Sequence, residues 1–114
     1  MFLALLGIAL TAMVFLWDEI VDWLKKLVSG IKAMFARAVK KIAHAAAGFI
    51  QRVENGLAAI RHRLYYKEQG QWVEETTTRK IKESEVPASI RRKIHAQEED
   101  ITDELEDELK LSLN

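Results

Sequence analysis

Residues Ile20 to Leu64 read IVDWLKKLVSGIKAMFARAVKKIAHAAAGFIQRVENGLAAIRHRL, and the fold turns on their apolar spacing. Ile20, Ile31, Ile42, Val53 and Leu64 stand eleven residues apart. The first four are each followed, four and seven positions on, by apolar partners: Leu24 and Leu27, Phe35 and Ala38, Ala46 and Phe49, Leu57 and Ile60. A helix advances about 100° per residue, so this ladder, widened by Trp23, Val28, Met34, Val39 and Ile50, makes a single apolar arc of roughly 140°. Eleven residues in three turns predicts one nearly straight helix from about Asp18 to Leu64, spanning about 70 Å. Gly30, Gly48 and the Asn55-Gly56 pair are its weak points. A stripe this regular reads as an assembly seam, in which Ile20, Leu24, Leu27, Ile31, Phe35, Ile42, Phe49 and Val53 face copies of the same chain. The competing reading lays the helix flat in a lipid headgroup layer.

Upstream, Met1 to Trp17 (MFLALLGIALTAMVFLW) has no charged side chain. As a helix it spans about 25 Å, and the apolar residues after Asp18-Glu19 extend it towards a full hydrocarbon core. No Lys or Arg precedes the run, which argues against a cleaved signal peptide. The expectation is a retained transmembrane helix over residues 1–24, anchored by Trp17 and Trp23. Basic residues follow it, so the positive-inside rule puts the N-terminus outside and the remainder in the cytoplasm.

Charge is balanced overall, with 17 basic and 17 acidic side chains, but not along the chain. Trp23 to Val53 holds seven Lys/Arg and no Asp or Glu, whereas eight acids crowd Glu98 to Glu108. The basic stretch points to an anionic lipid surface, with Lys25, Lys26, Lys32, Arg37, Lys40 and Lys41 as headgroup contacts. The acidic C-terminus offers a docking site for a cytoplasmic protein or for the basic helix itself. Nucleic acid is a poor match, because no binding motif accompanies the basic residues.

Past Leu64 the period shortens. Leu64 to Glu68 and Trp72 to Thr78 are rich in aromatic and β-branched residues and flank Gln69-Gly70-Gln71, which predicts a β-hairpin over residues 65–82 turning on Gly70. Tyr66 and Trp72 fit cross-strand packing better than ligand stacking. Pro87 opens a helical region, residues 83–114, in which Val86, Ile90 and Ile94 and then Ile101, Leu105 and Leu109 recur every fourth position.

Catalytic patterns are scarce. The chain has no Cys, and His44, His62 and His95 are too widely spaced for a metal motif. His44 and His62 fall on the polar side of the helical wheel and read as surface residues. No nucleophile elbow, phosphate loop or dinucleotide fingerprint occurs, so the expectation is a non-enzyme without cofactor or metal. One polar group stands out: Asp18, Glu19 and Asp22 end the apolar span, and in a symmetric oligomer they would ring a pore mouth. The sequence therefore predicts a mainly α protein, with the transmembrane segment (1–24) continuing into a basic amphipathic helix (25–64), then hairpin and acidic helical region. Its expected role is a self-assembling, single-span pore or channel-like homo-oligomer with a cytoplasmic gating or sensing part. The alternative is a membrane-anchored adaptor or small subunit of a larger membrane complex.

Overall fold

The computed structural model describes residues 13–39 and 41–114. The chain is mixed α and β. A short strand β1 (Val14–Phe15) leads into helix α1 (Trp17–Ala36), followed by three long strands, β2 (His44–Glu54), β3 (Leu57–Glu68) and β4 (Gln71–Lys82). A tight helical turn (Glu83–Glu85), helix α2 (Ala88–Arg91), strand β5 (Glu99–Asp100) and helix α3 (Thr102–Leu109) complete it. The five strands form one sheet in the order β1-β4-β3-β2-β5. β2, β3 and β4 are an antiparallel meander, and β1 runs parallel to β4 with Val14 beside Lys80 and Phe15 beside Ile81.

The long helix stops at Ala36. What was expected to be its second half folds back as the β2–β3 hairpin, turning at Asn55-Gly56, where Gly56 takes φ 79°. The other turn is Gln69-Gly70 with φ 51° and 80°, the left-handed pair that matches strand twist. Register places Ala46, Gly48 and Ile50 of β2 on the same sheet face as Leu64, His62 and Ile60 of β3 and as Glu75, Thr77 and Arg79 of β4.

All three helices cover that face. Ile20, Leu24 and Val28 of α1 meet Ile50, Ile60 and Ile81 from the sheet, together with Val86, Ile90, Ile101, Leu105 and Leu109, in one buried cluster. A Cβ on Gly48 would collide with the Leu105 side chain, so a glycine here lets α3 approach the sheet. No helix of the described residues lies over the other face, which carries charge. Glu98 accepts from Arg61 Nη1 at 2.9 Å and from Arg63 Nη2 at 2.9 Å, and Arg63 lies 4.5 Å over the Phe49 ring. The acidic C-terminus thus meets the basic half of the chain on β3 arginines rather than along the basic helix.

These contacts overturn the membrane reading. Residues 1–12 of the expected span lie outside the described residues. Directly after them the chain is extended and paired to β4 at Val14–Phe15, so no transmembrane helix continues into α1. Among the described residues no helix is long and apolar enough to cross a membrane. The mainly α fold, the single-pass topology and the pore built upon it are set aside for that reason. The coiled coil goes too, because Ile20 and Leu24 spend their apolar surface inside their own chain.

Candidate functional site

α1 does not lie flat on the sheet along its whole length. Its first half buries Ile20, Leu24 and Val28, whereas further along Ile31 and Phe35 are half-buried and Met34 is exposed. A groove opens under this second half. Its helix wall is Lys26, Leu27, Gly30, Ile31 and Met34, and its sheet wall is His62, Leu64, Glu75 and Thr77, enclosing about 300 Å³. Gly30 helps to make the space: a Cβ there would meet nothing within 4 Å. A second cavity of about 360 Å³ continues past Met34 and Glu75 to Phe35, Ala38, Ile42 and Tyr66. Phe35 closes that end by stacking on His44 at 4.2 Å and tilting against Tyr66 at 6.0 Å.

His62 is the unusual member of the lining. It is 2% exposed, and its Nε2 has no hydrogen-bond partner among the described residues. A buried polar nitrogen left unpaired costs free energy on the order of 1–3 kcal/mol, so its retention among Ile60, Leu64 and the α1 side chains calls for a reason. Burial pushes the imidazole pKa below its ordinary value, which keeps the ring neutral near pH 7. Across the strand pair its neighbour is Thr77, and two pairs further on, on the same face, Leu64 faces Glu75. Glu75 accepts from Tyr66 Oη at 3.1 Å, a bond that raises the Tyr66 pKa by favouring the protonated phenol. The groove therefore has largely apolar walls, a buried histidine in its lining whose Nε2 is shielded from solvent, and the Glu75 carboxylate on its sheet wall.

The expected pore-mouth carboxylates are separate surface features. Glu19 caps α1 by accepting from the Leu16 N–H at 2.8 Å, Asp22 pairs with Lys26 at 2.9 Å, and Asp18 is exposed in the first turn. Of the expected headgroup contacts, Lys25, Arg37 and Lys41 are exposed, Lys26 edges the groove, and Lys32 donates to the Ser112 carbonyl at 2.8 Å. Lys40 lies outside the described residues. The expected seam is dispersed: Leu27 and Ile31 line the groove, Phe35 and Ile42 its far end, and Phe49 and Val53 stand on the opposite sheet face or its bulge. His62, assigned to a solvent-facing surface by the helical wheel, is instead interior. A period-two reading of Ala58, Ile60, His62 and Leu64 would have put it there.

Among the described residues no group of three or more His, Asp or Glu side chains is placed to hold a metal ion. No protein-family model, no curated protein and no solved structure matches this chain.

Proposed function

We propose that this chain is a non-catalytic binding module whose α1–sheet groove holds a small, elongated apolar molecule carrying one hydrogen-bonding group. The groove with the buried His62 in its lining carries the reading: the ligand body covers Leu27, Ile31, Met34 and Leu64, and its polar group pairs with Nε2 once the imidazole turns from its solvent-shielded position towards the groove. A neutral imidazole nitrogen donates or accepts according to tautomer. A hydroxyl, which does both, suits either state. The cavity's extension past Met34 favours a chain-like over a compact ligand. Among the described residues no hydrogen bond links His62 Nε2 to a nucleophile or an orienting carboxylate, which favours binding over turnover.

Decan-1-ol is a suitable probe. Titrated into the full-length protein, it is expected to saturate one site and to shift the His62 ring nitrogen resonances. Gly30→Leu places a side chain in the open space on the helix wall, and it is expected to weaken binding at least about tenfold while the thermal melt is retained. Saturable binding that Gly30→Leu leaves unchanged, or an absence of saturable binding, would overturn the proposal.

A further inference from the structure

The two edges of the sheet are finished differently. On β2 four successive outward positions are occupied: Ala46 donates to Asn114 Oδ1 at 2.7 Å, Gly48 to Thr102 Oγ1 at 3.0 Å and Arg52 to the His95 carbonyl at 2.7 Å, while Ile50 pairs with β5. The Gly48 carbonyl in turn accepts from Ile101 at 2.8 Å. On β4, strand β1 covers only Lys80 and Ile81. From Trp72 to Arg79 no strand of the described residues lies on that side. The exposed segment, WVEETTTR, has three consecutive threonines and no proline or lysine, the residues that usually blunt an edge.

We propose that this edge pairs antiparallel with the same edge of a second copy, giving a two-fold dimer with one continuous sheet. The choice of partner follows from self-complementarity. In such a pairing each residue meets one of the same parity, because both strands keep the same face towards their helices. A two-fold axis at Glu75 would set Glu75 against its own symmetry mate, which like-charge repulsion disfavours. An axis at Thr77 would run the partner into β1 after a few residues, since Val14 already occupies the position beside Lys80. An axis at Thr76 avoids the first and delays the second, leaving seven residues, Val73 to Arg79, paired before the partner's Trp72 reaches Lys80. It matches Thr76 with Thr76, Glu75 with Thr77, Glu74 with Thr78 and Val73 with Arg79. It also sets Glu75 diagonal both to the partner's Arg79 and to the partner's Glu75, and Glu74 diagonal to the partner's Lys80, within reach of long side chains.

Thr76 supplies the test. Its side chain is exposed and stands beside Arg63 of β3, so Glu there gains an opposite charge within the monomer whereas Lys faces a like one, and a thermal melt of each variant separates folding from dimerisation. Sedimentation equilibrium of the full chain is expected to give a dimer, and Thr76→Glu or Thr76→Lys to raise its dissociation constant at least about tenfold by setting like charges on the axis. Mixing the two variants is expected to restore the dimer, because Glu then faces Lys. A wild-type monomer at hundreds of micromolar, or variants that dimerise as the parent does, would overturn the proposal. Amide exchange adds a second readout. Protection of residues 72–78 that falls on dilution supports the dimer, whereas protection independent of concentration gives the edge to the chain's own residues 1–12 and overturns it.

Discussion

Ile20 to Ala36 and His44 to Leu64 share one apolar ladder, yet the first is helix α1 and the second is the β2–β3 hairpin. The difference lies in what each can bury. In α1 the positions four apart, Ile20, Leu24 and Val28, all point into the core. In the hairpin the buried positions on the helix-covered face are two apart: Ala46, Gly48 and Ile50, then Ala58, Ile60, His62 and Leu64, with Ala59 the one further buried residue, on the opposite face. The helical ladder counts Val53 and Phe49 equally with Ile60, although the sheet sends odd and even residues to opposite faces. Local alanine content favours helix at Ala43 to Ala47, but β3 lies between two partners and its pairing outweighs that preference.

The sharpest way to break this comparison is to truncate residues the ladder treats as equal. Ile60→Ala is expected to cost about 2–5 kcal/mol, the range for a fully buried branched side chain, whereas Val53→Ala, at a bulge and 38% exposed, is expected to stay within about 0.5 kcal/mol. Urea titration reads both. Comparable losses at the two sites would contradict the hairpin packing.

The glycines sharpen it next. Gly48→Ala drives a methyl into Leu105 and is expected to destabilise by about 1–3 kcal/mol. Gly30→Ala meets open space in a helix interior and is expected to stabilise by up to about 1 kcal/mol. Differential calorimetry should show melting shifts of opposite sign; shifts of the same sign would remove the distinction between a helix approach and an open groove.

The smallest effect is the pH dependence that separates His62 from the rest. Its folded pKa lies below the ordinary value of 6.5, so as pH falls the unfolded chain takes up a proton before the folded one does. Stability is full above pH 6.5 and is lost as pH drops from there through the folded pKa. Melting temperatures measured across that window are expected to fall for the parent and to stay flatter for His62→Leu. Parallel curves would show that His62 does not titrate with unfolding.

Part of this fold was readable beforehand. The Gln69-Gly70 turn stands out because a positive-φ pair between strand-forming residues has few other uses, and Pro87 marks the start of α2. The start of α1 was hidden: Val14-Phe15 pairs with β4 some 66 positions away, a contact no local pattern encodes. Asn55-Gly56 carried a strong hairpin signal that the ladder made look like a weak spot in a helix. The groove was the least visible feature. His62 and Gly48 interrupt the period-two run where apolar residues would have declared a buried strand, and Gly30 looked like a defect although it shapes a wall.

The order in which the chain leaves the ribosome gives the sheet topology a kinetic meaning. α1 is synthesised before any of the strands it packs on, and its apolar stripe has no docking surface until the meander forms. β2, β3 and β4 are joined by two-residue turns, so their pairing closes short loops and proceeds quickly. The β1–β4 contact closes a loop of more than sixty residues and belongs at the end of folding. Until the meander forms, the apolar stripe of the nascent helix has nothing of its own chain's sheet to cover it.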